Sequence, residues 1–318
     1  MNTDLLEVRV ECRTDEAEGI CSYELVSADG APLPAFTAGA HIDVHVAPGL
    51  VRQYSLCNPP HERHRYVIGV LRDPASRGGS QAMHEQIRAG AKLTISAPRN
   101  HFPLVDAPRS VLLAGGIGIT PLLAMAETLS AQGSQFELHY CTRSPERTAF
   151  RDRILSAAYA PQVRFYHDST QQLDLPALLA GLPRDSHIYF CGPAGFIDHV
   201  KATAAAAGWP HEQLHLEYFG AAAPVPQDGD RPFEVKLASS GKCYTIPAGV
   251  TVLKVLNDAG VFVPASCEQG VCGTCLTRVL DGVPDHRDLY LTEEEQAAND
   301  QFTPCCSRSR SATLLLDL

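Results

Sequence analysis

Several cysteines near the C-terminal end of the chain are spaced as metal ligands. They form a C-x4-C-x2-C run, followed after about thirty residues by two adjacent thiols: Cys267, Cys272, Cys275, and Cys305 or Cys306. Plant-type ferredoxins use this spacing to hold a [2Fe–2S] cluster with four thiolates. A structural zinc site is the alternative, but zinc favours paired C-x2-C knuckles or added histidines, and only one such pair is present. The spacing predicts a cluster without choosing between the last two cysteines.

The glycines of this cysteine loop also suit a cluster. Gly270 and Gly273 lie among the first three thiols, where glycine lets the backbone fold closely around sulfur. Exposed N–H groups in such a loop can hydrogen-bond the anionic cluster.

Two glycine-rich turns upstream could bind a nucleotide. The first follows the apolar stretch 111–114 and ends in a Thr-Pro pair expected to cap and open a helix: Gly115, Gly116, Gly118, Thr120 and Pro121. The second follows the stretch 187–190: Cys191, Gly192 and Pro193. Amides in such turns, together with a helix dipole, attract a pyrophosphate. The G-x-G-x-x-G pattern is not met, yet both turns should lie at the carboxyl edge of one sheet, where open α/β sheets bind ligands.

A nicotinamide and a [2Fe–2S] cluster differ in the number of electrons that they exchange in one step. The nicotinamide gives up two electrons together as a hydride, whereas the cluster takes one. A flavin can divide the pair, so the first part of the chain is predicted to hold a flavin.

Two stretches offer groups for this flavin. Arg52, Tyr54 and Ser55 supply a cation for phosphate, an aromatic ring, and a hydroxyl for the polar edge of the ring system. A second cation, free amides and a capping hydroxyl come just before a helix predicted to start at residue 81: Arg77, Gly78, Gly79 and Ser80. Taken alone, Arg52 and Tyr54 could be ordinary strand residues; the electron count favours the flavin.

The apolar pattern divides the chain into three domains and a linker. Residues 1–105 show short strands between Gly, Pro and Asn clusters, typical of a small antiparallel β-barrel. Residues 106–220 alternate strands and helices, typical of a doubly wound parallel α/β sheet. A Pro- and Asp-rich linker is expected at 221–231. Residues 232–318 start with a hairpin and a helix ahead of the cysteine loop, which indicates a small α+β module.

Composition excludes several classes of protein. The 318 residues carry a formal net charge of −10 and no basic tract, so a nucleic-acid partner is not expected. The first residues lack the apolar core of a signal peptide, and no apolar run is long enough to span a bilayer. Eleven cysteines without a secretory signal indicate thiols or metal ligands in a reducing compartment. The expected location is the cytoplasm.

Across nearly its whole length the chain resembles the phthalate dioxygenase reductase family, which includes the vanillate demethylase reductases. The matching motifs are RQYSLCN (52–58), RGGS (77–80), AGGIGITP (114–121), CGP (191–193), EYFG (217–220), the cysteine loop, and PCCSRSRS (304–311) with a final LLLDL. The resemblance implies an FMN-binding barrel, an NAD domain and a C-terminal β-grasp ferredoxin. It also implies electron transfer from NADH through FMN and the cluster to a separate Rieske-type oxygenase that acts on an aromatic carboxylate such as phthalate.

The resemblance assigns roles to individual residues. Arg52, Tyr54, Ser55, Gly79 and Ser80 would hold the FMN, and the two glycine turns would shape the nicotinamide and pyrophosphate site. Phe219 would lie near the flavin ring and yield to the nicotinamide. The fourth ligand of this family directly precedes x-Ser-Arg, which selects Cys305. No side chain is expected to act as acid or base in the hydride step.

Further expectations concern the adenosine half of the cofactor, the oligomeric state and the remaining residues. Thr142, Arg143 and Asp168 follow later strands and could reach the adenosine half; NADH is favoured, although Arg143 and Arg147 leave a 2′-phosphate partner conceivable. A monomer is expected. The rival functions are a redox sensor and a free-flavin or ferric reductase with zinc at the cysteines. Residues 292–295 predict a capping box rather than a partner-docking patch. The remaining cysteines are expected in the core: Cys12, Cys21, Cys57, Cys141 and Cys243.

Overall fold

The computed structural model describes residues 5–74, 78–220, 229–265 and 267–318. They form two compact units, Met1–Phe219 and Gly220–Leu318. The predicted boundary at 105–106 falls inside the first unit, between its two sheets. Most of the predicted linker, like Arg77, lies outside the described residues. No helix in the described ranges has the length and apolarity needed to cross a membrane.

The first unit begins with a closed antiparallel barrel. Its strands are β1 (Leu5–Ala17), β2 (Ile20–Ser27), β3 (His41–Ala47), β4 (Leu50–Ser55), β5 (Tyr66–Leu71) and β6 (Lys92–Ser96), in the order β4-β3-β6-β1-β2-β5. A bridge between Leu56 and Ile68 joins the two ends of this order. Alternate residues such as Val8, Val10 and Ile42 fill the interior, as the period of two along a strand requires. Helix α1 (Gly79–Gln86) packs its Met83 into the same core.

The second sheet of the first unit is parallel. Its elements are β7 (Arg109–Gly115), α2 (Ile119–Gln132), β8 (Phe136–Thr142), α3 (Arg151–Ser156), β9 (Val163–His167), α4 (Leu175–Gly181), β10 (Ser186–Gly192), α5 (Ala194–Ala206) and β11 (Leu214–Tyr218). The order β11-β10-β7-β8-β9 reverses direction at β7, which places the ligand-binding crevice between β7 and β10.

The second unit is a mixed sheet with one packed helix. Its elements are β12 (Phe233–Leu237), β13 (Cys243–Ile246), α6 (Val252–Asp258), β14 (Thr277–Asp281), β15 (Pro284–Asp285), α7 (Glu293–Ala298), β16 (Gln301–Phe302), β17 (Arg308–Ser309) and β18 (Thr313–Leu316). The order is β13-β12-β18-β14-β16, with β12 and β18 parallel. Val252 and Leu256 of α6 pack on this sheet with Val235 and Leu314.

The predicted barrel, doubly wound sheet and ferredoxin-like module are confirmed, but several local predictions are wrong. Helix α2 starts at Ile119 with Gly118 as its cap, because a short 3₁₀ turn through the glycines leads straight into it; Thr120 lies inside the helix and donates to the Ile117 carbonyl at 3.0 Å. Cys12 and Cys243 are exposed, since each lies on the outer side of its strand. The capping box at Thr292 and Glu295 is present as predicted.

Candidate functional site

The two glycine turns meet at the crevice between β7 and β10. A Cβ atom on Gly118 would clash with the Cys191 carbonyl, and one on Gly192 would lie 3.0 Å from the Gly115 Cα. Glycine is therefore needed for the turns to approach. Gly116 adopts a φ of 53°, a left-handed conformation that glycine adopts without strain. Pro193 packs over Gly115, so the sequence-predicted members of this edge are brought together.

A half-buried carboxyl group lies beside these turns. Ser55, at the end of β4, donates a hydrogen bond to Glu217 Oε2 at 3.3 Å, and Glu217 lies opposite Cys191 in the β10–β11 pair. Partial removal from water raises the pKa of Glu217 to about 8, and the Ser55 hydroxyl partly offsets this rise. Burial, with the nearby Glu217, also raises the pKa of Cys191. At neutral pH both groups therefore hold their protons.

Glu217 was missed as a functional residue. The motif 217–220 was visible in the sequence, but a glutamate in a strand normally faces solvent. Its role arises from the pairing of β11 with β10, which no local pattern encodes. Phe219, two residues later, is 40% exposed, as a side chain that covers a ring and moves aside would be.

The proposed phosphate site lies at the start of α1. Arg52 runs across Gly79, where a Cβ atom would lie 2.5 Å from the arginine Cγ. Gly78 caps the helix at a φ of 90° with no side-chain cap, which leaves the first amides of the helix facing outward. The prediction that Ser80 caps this helix is wrong, because its Oγ accepts the Asp73 N–H at 3.2 Å. A guanidinium at a helix N-terminus suits an anion.

Tyr54 lies next to this site, on the inner side of β4. Its ring packs against the barrel core together with Leu50, so it supports the wall of the site as well as contributing an aromatic face.

The residues expected at the adenosine half of the cofactor differ in whether their side chains are available to a ligand. The Thr142 hydroxyl is used within the protein, by Thr148 Oγ1 at 2.8 Å and His167 Nδ1 at 2.9 Å. Arg143 and Asp168 are exposed at the carboxyl ends of β8 and β9, where a ligand could reach them. Arg147 forms an ion pair with Glu18 at 2.9 Å, which weighs against its use for a 2′-phosphate.

The cysteine loop brings four thiols together. Hydrogen bonds from Cys272 and Cys305 lower the pKa of the Cys267 thiol, and Cys305 also bonds Cys275. The backbone N–H of Gln269 donates to Cys267 Sγ at 3.3 Å, the kind of amide contact that a cluster requires. In the described part of the chain, no three or more His, Cys, Asp or Glu residues are placed around a single metal ion. A [2Fe–2S] cluster instead distributes four thiolates over two irons.

Cys306 belongs to a different environment. It contacts Cys305, but its Sγ also lies 3.2 Å from Thr303 Oγ1 and 3.8 Å from Ser307 Oγ. A Cβ atom on Gly270 would clash with this sulfur, so the loop passes directly over it. The donor set therefore fits a cluster held by Cys267, Cys272, Cys275 and Cys305.

Comparison with known proteins agrees with this arrangement. Residues 235–310 match the 2Fe-2S iron-sulfur cluster binding domain. The vanillate O-demethylase oxidoreductase of Pseudomonas putida is 56% identical over 99% of this chain and 100% of that protein. The phthalate dioxygenase reductase of Burkholderia cepacia is 42% identical over 98% of this chain and 97% of that protein.

The chain belongs to the phthalate dioxygenase reductase family. The solved structure of a phthalate dioxygenase reductase is 42% identical to this chain with a TM-score of 0.77, and the match covers 99% of this chain and 98% of that one. That protein is described as a modular structure for electron transfer from pyridine nucleotides to [2Fe–2S]. Membership confirms the predicted oxidoreductase with FMN, NADH and [2Fe–2S] as its cofactors and an oxygenase as its electron acceptor.

Proposed function

We propose that the chain is the reductase component of a Rieske-type oxygenase that demethylates vanillate or a closely similar methoxybenzoate. The observation that carries this proposal is the 56% identity to a vanillate O-demethylase oxidoreductase across essentially both full chains, against 42% for the phthalate enzyme. Vanillate is itself an aromatic carboxylate, the substrate class expected from the sequence. Because of this difference in identity, the proposed substrate of the partner oxygenase is vanillate rather than phthalate.

The residues of the first unit would hold the two nucleotides. Arg52 and the amides that open α1 would bind the FMN phosphate, with Arg77, Gly78 and Ser80 on the same segment. Ser55 would hydrogen-bond the polar edge of the flavin. FMN, when bound, supplies a centre that takes two electrons together and releases them singly. The turns at 115–118 and 191–193 would bind NADH, with Arg143 and Asp168 at the adenosine end.

Catalysis in this proposal consists of positioning. Glu217 and the Ser55 hydroxyl, which are hydrogen-bonded to each other, would form a wall beside the ring, and Phe219 would cover the ring face until the nicotinamide replaces it. In the second unit, Cys267, Cys272, Cys275 and Cys305 would hold the cluster. The proposal includes a monomer in the cytoplasm, consistent with the eleven cysteines, none of which is paired in a disulfide among the described residues.

The test is reconstitution with candidate oxygenases. The purified holoprotein is combined with NADH and either a vanillate-demethylating or a phthalate-hydroxylating oxygenase, and substrate loss is measured. We expect faster coupled turnover with the vanillate enzyme at equal oxygenase concentration. Ferricyanide reduction in the same samples is the control, because it reports NADH oxidation without the partner. Faster turnover with the phthalate enzyme would overturn the substrate assignment.

A further inference from the structure

The reaction releases one proton, and none of the residues assigned to the flavin site offers it a route to solvent. The inference that follows rests on the proposed function. NADH delivers a hydride, which is one hydrogen nucleus with two electrons, and both electrons leave through the cluster. The balance is NADH → NAD⁺ + H⁺ + 2e⁻, so one proton must pass from the flavin to solvent in each turnover.

A buried imidazole lies next to the residue assigned to the polar edge of the flavin. His41 of β3 is opposite Ser55 of β4. The N–H and C=O of His41 both bond Arg99 on its other side, at 2.8 and 3.0 Å. His41 and Ser55 are thus a non-hydrogen-bonded pair, the kind in which facing side chains approach most closely.

The ring of His41 is nearly fully enclosed yet incompletely bonded. It is 4% exposed, and its Nε2 has no hydrogen-bond partner among the described residues. Buried polar atoms are almost always bonded, so an unsatisfied one marks a place for a water or for a proton in transit.

The next group outward reaches solvent. The His101 ring lies 5.5 Å from the His41 ring, centre to centre, and His101 is exposed. A single water can bridge such a gap. The other charged groups facing His41 are Asp43 and Arg99, which form an ion pair with each other and so leave the neighbouring charge nearly balanced.

We propose that His41 and His101 form a proton-release path that runs from the flavin edge at Ser55, through the buried imidazole of His41 and the exposed imidazole of His101, to solvent. Each histidine accepts a proton on one ring nitrogen and releases a proton from the other, so its net protonation is unchanged. A ring flip or proton exchange then restores the starting tautomer before the next turnover. Both are relay residues, and Ser55, which donates a hydrogen bond to Glu217, lies at the flavin end of the path.

The titration of these groups is consistent with a relay. Burial, followed by Arg99 and His101, lowers the pKa of His41 to about 4, so the ring is neutral at pH 7 and free to accept a proton briefly. Burial also lowers the pKa of His101. A neutral relay group releases its proton quickly, which a permanently charged one could not do.

Proton release can be measured directly. Holoprotein and NADH are mixed anaerobically with excess ferricyanide in weak buffer containing a pH-indicator dye, and flavin bleaching is followed in a separate sample without ferricyanide. We expect His41→Gln to bleach its flavin at the wild-type rate but to release its proton about 100-fold more slowly, the lower end of what a positioned acid–base group contributes. His45→Gln is the matched control, because His45 faces the same side of β3 about 13 Å farther along the strand.

His101 gives a second test that does not depend on a core substitution. His101→Ala should also slow proton release, and added imidazole should restore it, since a small base can occupy the surface position. Imidazole should not act on His45→Ala. A structural role for His101 would show no such rescue.

A third measurement needs no turnover. In histidine-labelled, oxidised holoprotein, the ¹⁵N titration of His41 should move to higher pH in His101→Gln and stay unchanged in His45→Gln. Wild-type proton release in both His41→Gln and His101→Ala, with normal flavin bleaching, would overturn the relay alone. Failure of NADH to bleach the flavin of the wild-type protein would overturn the proposed function, and the relay with it.

Discussion

The cysteine loop and the Ser55–Glu217 wall reach function by opposite routes. Three of the four proposed cluster ligands lie within nine residues, 267–275, and glycines between them give the loop its shape. Ser55, Cys191 and Glu217 come from three strands separated by up to 162 positions. A local site can be recognised from spacing alone, whereas an assembled site exists only after the sheet has formed.

The largest expected effect tests the local site and concerns the fourth ligand of the cluster. Cys305→Ser should abolish the cluster and keep the flavin, because Cys305 is the thiol that bonds both Cys267 and Cys275. Cys306→Ser should keep both cofactors, since its sulfur contacts Thr303. Iron content and the visible spectrum distinguish the two variants. Cluster loss in Cys306→Ser alone would show that the loop uses the other thiol.

The assembled site should be detectable through the pH dependence of stability. The carboxyl of Glu217 has a pKa of about 8 in the folded protein against 4.5 ordinarily. Between these values the folded state holds a proton that the unfolded state has lost. Stability therefore falls as pH rises through this window, by about 1.4 kcal/mol per pH unit from this group alone.

Glu217→Gln should remove that slope. The variant should match the wild type near pH 4 and become progressively more stable than it towards pH 8. Trp209, the only tryptophan of the chain, is buried in the first unit, so its fluorescence reports the unfolding of that unit. Glu212→Gln, a change of the same kind at an exposed residue, is the control. Parallel pH profiles for wild type and Glu217→Gln would contradict a protonated Glu217.

A smaller effect separates the flavin site from the cluster. Arg52→Ala should weaken FMN binding roughly ten- to a hundredfold, because a hydrogen bond to a charged group contributes about 1.5–3 kcal/mol. Cluster content should not change, since the two sites belong to different compact units. FMN retention on gel filtration and iron content measure both, with Arg9→Ala on the barrel surface as control. If iron and flavin fell together, the division into separate sites would be wrong.

The sequence predicted elements better than their junctions. Strand alternation with intervening Gly and Pro predicted the barrel, and the apolar stretches 111–114 and 187–190 lie inside β7 and β10, because burial of a strand imposes such patterns directly. The predicted start of α2 is wrong. Thr120 and Pro121 are favoured at a helix start, but the 3₁₀ turn formed by the preceding glycines leads into the helix before them. The surroundings of His41 and Glu217 had no local signal, because they depend on which strands become neighbours.

The smallest effect concerns the capping box of α7. Thr292 Oγ1 accepts the Glu295 N–H at 3.2 Å, and the Glu295 carboxylate accepts the Thr292 N–H at 2.8 Å. Thr292→Ala should therefore lower the stability of the second unit by about 1 kcal/mol, measured as loss of cluster absorbance in denaturant. Thr292→Ser retains the hydroxyl and should behave as wild type. Equal stability of the two variants, with slower electron delivery to the oxygenase in Thr292→Ala, would instead make this acidic turn part of the partner surface.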